Sequence, residues 1–188
     1  MSDYDLAYKG IQELPLYTGA DTSATDKIPI YDVSADRMEY LNYGGANPVA
    51  GGTLTITAAL HARLNATIIG LADGNGSVVT LPAATGSQNR YRFRVQNLAT
   101  SNNHIIKVSS AAETIQGFAI IADTDSSGAA SMFMTAIDSD TLTLNRTTTG
   151  SVTIGEYIEL EDIFLNRWHI RAFLSGTGAV ATPFSATV

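Results

Sequence analysis

The sequence predicts an all-β protein: a sandwich or barrel-like, jelly-roll-like body with an extended N-terminal arm. Three observations carry that reading. Arg90-Tyr91-Arg92-Phe93-Arg94-Val95 alternates strictly, with three arginines on one face and three apolar residues on the other, as a strand's period of two requires. Thr, Ser, Asn and Gly, the residues of strands and turns, supply the polarity of a chain whose charged content is only 15%. From Thr53 onward, short apolar runs alternate with turn residues and show no sustained helical periodicity, as in a sandwich or barrel.

The arm comprises residues 1–52. Its tetrads Leu14-Pro15-Leu16-Tyr17 and Ile28-Pro29-Ile30-Tyr31 each contain a proline, which lacks an amide donor, so each predicts an edge strand or extended segment. Asp32–Asp36 reads as a turn and Arg37–Tyr43 as a returning strand. Gly44-Gly45 and Gly51-Gly52 bracket a flexible link. Leu16, Tyr17, Ile30 and Tyr31, with Tyr40 and Tyr43, make the arm too apolar to stay solvated. It is expected to pack on another protein or on a second copy of the chain.

The body comprises residues 53–188. Thr53–Thr57 predicts a strand and Ala58–Leu64 a helical turn. Thr67–Leu71 and Ser77–Leu81 flank Asp73-Gly74-Asn75-Gly76, which predicts a hairpin. Strands are then expected at Arg90–Val95, His104–Val108, Thr114–Gln116, Phe118–Ala122, Ser131–Ala136, Thr141–Leu144, Tyr157–Glu161 and Arg167–Phe173. The tail from Gly176 either adds an edge strand or lies along a neighbour. Tyr157–Phe173 reads as a hairpin centred on Phe164. That register sets Leu160 opposite Trp168 and Ile158 opposite Ile170 inside, with Glu161 opposite Arg167 and Glu159 opposite His169 outside. The tip, Ile163-Phe164-Leu165, is apolar where turns are normally polar, so burial is expected against another subunit or under the body's own loops. Arg90, Arg92 and Arg94 are expected to meet acidic groups across the sheet or across a subunit boundary.

Charge and composition narrow the function. The net charge of −7 argues against nucleic-acid binding, which needs phosphate neutralisation. The absence of cysteine excludes a disulfide framework and a thiolate site. The acidic, polar first residues predict no secretory signal, and no apolar run is long enough to span a membrane.

Catalytic and metal patterns are weak. His61, His104 and His169 lack ligand spacing. Asp73-Gly74-Asn75, Asp123-Thr124-Asp125 and Asp138-Ser139-Asp140 begin like calcium loops without completing one, and read more simply as turn acids. No nucleophile elbow or phosphate loop is present. Neither an enzyme nor a cofactor is therefore expected. Trp168 and surface tyrosines offer stacking surfaces for a glycan, although strand parity turns Trp168 inward with Ile170.

An ordered set of segments resembles the structural proteins of tailed bacteriophages, above all capsid decoration (cement or head-fibre) proteins. It comprises Leu81–Gly86, Tyr91-Arg92-Phe93, Thr100–Val108, Ile115-Gln116-Gly117, Asp138–Thr141, Tyr157–Asp162 and Thr182–Thr187. The resemblance spans residues 53–188 and implies a non-enzymatic module, usually a homotrimer, seated on the major capsid protein at the outer surface of the virion. Similar modules occur in tail fibres. The alternative is thus a tail fibre or adaptor that binds a receptor or glycan.

Overall fold

The computed structural model describes residues 27–32, 37–42, 52–57, 68–125 and 128–188. The chain divides into two compact units, residues 1–45 and 46–188. In the first, β1 (Lys27–Asp32) and β2 (Arg37–Asn42) pair antiparallel, with Ile30 opposite Glu39 and Tyr31 opposite Met38. Strands thus form at Ile28–Tyr31 and after Arg37, as expected. Leu14–Tyr17 and the helical turn expected at Ala58–Leu64 lie outside the described residues.

The second unit is an all-β sandwich. Its strands are β3 (Thr53–Thr55), β4 (Ile68–Leu71), β5 (Val78–Thr80), β6 (Arg90–Val95), β7 (His104–Lys107), β8 (Thr114–Asp123), β9 (Ala130–Met134), β10 (Thr141–Leu144), β11 (Tyr157–Phe164), β12 (Arg167–Gly176) and β13 (Phe184–Ser185). One sheet runs β13-β10-β7-β5-β3 and the other β4-β6-β11-β12-β8-β9. Inward residues of both sheets form one core, including Val79, Leu81, Ile106 and Leu142 from the first, and Tyr91, Phe93, Leu160 and Trp168 from the second. The Tyr91 and Trp168 rings meet edge to face, with centroids 5.6 Å apart, so Trp168 is a core residue as its parity predicts.

From β3 to β8 each strand enters the sheet opposite its predecessor. Through β7, next-but-one strands therefore lie side by side and parallel: Thr53 beside Val78, Val78 beside Ile105, Ile68 beside Arg92. Successive rungs are about 25 residues apart, stacked as in a solenoid. This corrects the hairpin expected at Asp73-Gly74-Asn75-Gly76. The turn instead carries the chain from β4 in one sheet to β5 in the other. The parallel pairs also distinguish this sandwich from the antiparallel sheets of a jelly roll. The tail does add an edge strand, since β13 pairs with β10.

In the β11–β12 hairpin the predicted faces hold and the predicted register does not. Ile158, Leu160, Trp168 and Ile170 are all fully buried. Their partners differ by two residues: Leu160 faces Ile170, Ile158 faces Ala172, Glu161 faces His169 and Glu159 faces Arg171. The reversal occurs at Leu165-Asn166, where Asn166 takes the left-handed conformation (φ 61°), and β11 is irregular between Asp162 and Phe164. An even shift preserves which face each residue occupies.

The two short strands expected around Gly117 are one continuous strand, β8, parallel to β12. Gly117 has φ 143°, and a Cβ there would run into the Ile170 carbonyl oxygen. Gly117→Ala is expected to lower stability by about 1–3 kcal/mol in urea unfolding, through overpacking and backbone strain.

His104 is fully buried. Its Nδ1 accepts the Ser77 amide at 2.9 Å, which leaves Nε2 to donate to the Asn97 carbonyl at 2.9 Å. Burial holds its pKa below the ordinary 6.5, outweighing the Asn97 hydrogen bond and the charges of Glu156 and Asp73. The unfolded chain then binds the proton more readily than the native protein. His104 therefore contributes fully above pH 6.5, and that contribution is lost as pH falls through the lower, folded value. Urea midpoints should fall on acidification from pH 6.5 in the native chain, with a flatter profile in His104→Ala.

Candidate functional site

Strand parity sends alternate residues of β6, β11 and β12 to the outer face of the six-stranded sheet. Glu161 meets Arg90 at 3.1 Å, and Glu159 meets Arg92 at 3.0 Å. Arg171 reaches the same Glu159 from the other side at 2.8 Å, and the Tyr157 hydroxyl donates to it at 3.0 Å. Burial raises the Glu159 pKa, but the hydrogen bonds from Tyr157 and Arg92 and the two guanidinium charges outweigh it and hold the carboxyl below its ordinary value. Arg90 and Arg92 thus find their acids within their own sheet. Arg94 is exposed at the register position of Tyr157. These partly exposed pairs are worth roughly 0.2–1 kcal/mol each, so the ladder sets strand register more than it adds stability.

The hairpin tip is built differently. The inward alternation of β11 runs Ile158, Leu160, Asp162, so a carboxylate stands where the next core residue would be. Asp162 is buried and accepts hydrogen bonds from the amides of Thr85 (3.0 Å), Gly86 (2.7 Å) and Ser87 (3.0 Å), and from the Ser87 (2.6 Å) and Thr85 (3.1 Å) hydroxyls. Desolvation pushes its pKa up, yet the Ser87 hydroxyl and the three amides outweigh that and hold it below the ordinary 3.8. The two backbones are tied as well: Gln88 donates to the Asp162 carbonyl, Asp162 to that of Asn89, and Asn166 to that of Ala84. Gly86, at φ 78°, lies so close that a Cβ would sit 3.4 Å from the Phe164 Cα. A second buried carboxylate, Glu113, fixes the same loop from below by accepting the Ala84 and Ser109 amides.

On this clamped turn Ile163 is half-buried, while Phe164 is 66% and Leu165 74% exposed. The body's own loops therefore do not cover the tip. Ile137, the most exposed large apolar residue described, lies at the same end of the sandwich, in the turn whose Ser139 carbonyl accepts the Ile115 amide at the start of β8.

Of the other candidates, Ile30 and Tyr31 lie in β1, and Leu16, Tyr17 and His61 fall outside the described residues. Asp73 and Asp140 act as loop acceptors, for Asn75 and for Thr187 and Val188 respectively. Among the described residues no group of three His, Cys, Asp or Glu side chains is placed to hold a metal ion. No described helix is long and apolar enough to cross a membrane. The sequence reading missed Asp162 and Glu113. For Asp162 the signal was present, as an acid at an inward position of an alternating strand. No family model matches the chain, and no curated protein matches it.

Asp162→Asn places an amide donor among five donors, and should cost about 2–4 kcal/mol at neutral pH by urea unfolding. Because the folded pKa is depressed, the native carboxylate contributes fully above pH 3.8 and its contribution is lost as pH falls through the folded value. The variant should therefore show a shallower acid-unfolding curve than the native chain.

Proposed function

We propose that this chain is a non-catalytic structural protein of a tailed-bacteriophage virion, which decorates the outer surface of the capsid and stabilises it by bridging units of the major capsid protein. The segment resemblance across residues 53–188 suggests the class and a threefold assembly. The observation that carries a docking role is the tip. Two large apolar residues, Phe164 and Leu165, stand in solvent on a turn held by at least eight hydrogen bonds to the neighbouring loop. A rigid apolar knob loses little conformational entropy on binding, which is the property of an interface anchor. Trp168, the strongest sequence candidate for stacking on a glycan, is fully buried, which weighs against the tail-adaptor reading.

The test is cosedimentation of the purified protein with capsids that lack it, with bound copies counted per particle. Hundreds of copies are expected for the native chain. The double variant Phe164→Ser/Leu165→Ser should unfold at an unchanged urea midpoint, because both side chains are exposed, and should bind at least about tenfold less. Binding of only tens of copies at one vertex would favour the tail adaptor. Undiminished decoration by the double variant would remove the tip as the docking element.

A further inference from the structure

The six-stranded sheet ends at β9, beyond which no described strand pairs. Open edges carry unpaired backbone donors and acceptors, and proteins normally guard them with charge, proline, bulges or very short length. The five-stranded sheet follows that rule, with edge strands of three (β3) and two (β13) residues. By contrast β9, Ala130-Ser131-Met132-Phe133-Met134, has no charge, no proline and no glycine, and keeps a regular antiparallel register with β8 along its length. Its outward side chains Met132 and Met134 are 64% and 62% exposed. They continue an apolar band across the outer face, through Ile120 and Phe118 of β8 to Phe173 of β12, which is 53% exposed. The charged ladder ends where this band begins.

We propose that β9 is an interface between copies of this chain: two copies pair β9 to β9, antiparallel about a twofold axis at Met132, and join their six-stranded sheets into one. The strand is complementary to itself in that arrangement. Ala130 falls opposite the second copy's Met134 on the outer face, and Ser131 opposite its Phe133 on the inner face, so each pair sets a small side chain against a large one. Met132 meets its own equivalent. No like charges are brought together within the five-residue pairing, and thioethers adapt well to a partner surface. An isologous contact of this kind closes on itself, so it gives a discrete pair and not a fibre. It uses a different surface from the Phe164–Leu165 tip and does not rest on the decoration reading.

Light scattering of the full chain supplies the first test. A mass corresponding to an even number of chains is expected, a dimer alone or a hexamer where a threefold contact also forms. Met132→Lys should halve that mass while the chain stays folded, with an unchanged far-ultraviolet circular dichroism spectrum, since the side chain is exposed; the urea midpoint falls only by the lost association. An odd number of chains, or an even one that Met132→Lys leaves intact, overturns the proposal. The register is tested separately, because the chain has no cysteine of its own. Opposed residues in an antiparallel pair have Cα atoms about 4.5–5.5 Å apart, within disulfide reach. Met132→Cys should therefore crosslink into covalent dimers on mild oxidation. Ala130→Cys, on the same face but opposed to position 134, should not, and neither should Thr153→Cys on a distant exposed loop. Equal crosslinking of all three variants, or none at position 132, would refute the pairing.

Discussion

The body depends on burying alternate residues of two sheets against each other around Trp168, Tyr91 and Phe93. Parity is strict in β6, β11 and the first part of β12, where buried residues alternate with half-buried or exposed ones. A one-residue slip would bury arginines in β6, expose Trp168 in β12 and bury Glu159 and Glu161 in β11, a penalty of several kcal/mol at each site. A two-residue slip changes no face, and core burial alone leaves it open. What selects among even registers is the outer ladder, in which Glu159 and Glu161 lie beside Arg92 and Arg90, and the Asn166 reversal with its irregularity near Ile163. Core and surface thus divide the work. Burial fixes the face, while the turn and the charges fix the position along it.

The second constraint comes from loops that must cross between sheets. Each crossing leaves backbone amides without a strand partner, and a buried amide without an acceptor is costly. This chain meets them with carboxylates. Asp162 caps the amides of 85–87 and Glu113 those of Ala84 and Ser109. Glu156 accepts from Ser151, Val152 and Thr153 in the crossing from β10 to β11, and Asp140 serves the segment after β13 in the same way, accepting from Thr187 and Val188. All four acids are buried. Much of the body's formal negative charge is therefore an internal scaffold for turns. The outer face of the six-stranded sheet is consequently arginine-rich in a chain of net charge −7, and net charge is a poor guide to what that face would attract.

Local features were readable before the structure. Alternation in Arg90–Val95 and in Tyr157–Glu161, the strand at Thr141–Leu144 and the inward position of Trp168 all follow from period and composition. Pairing between distant segments was not. Asp73-Gly74-Asn75-Gly76 has the composition of a hairpin turn, and only the position of β6 beside β4, with β5 beside β3 and β7, shows that it joins two layers. The hairpin tip failed for a related reason. Its three apolar residues suggested a buried centre at Phe164, whereas Asn166, the one residue suited to a left-handed turn, carries the reversal. The Asp162 clamp links residues about 75 positions apart, a separation over which spacing says nothing about contact.

Phe164 and Leu165 are exposed for a different physical reason from Met132 and Met134. At the tip the backbone is tied to the 84–89 loop through Asp162, Leu165 and Asn166, so the exposed surface is mainly the Phe164 and Leu165 side chains, which a complementary apolar depression would cover. At β9 no described strand pairs with the outer backbone edge, so a partner there would supply hydrogen-bonding groups as well as apolar area, and an extended strand does both. A strand that is uncharged and size-complementary to itself meets that requirement with no other molecule. The tip has no open strand edge to pair and offers only its two exposed side chains. On the proposed reading the two exposed surfaces therefore take different kinds of neighbour, a second copy at the sheet edge and a grooved surface at the clamped turn.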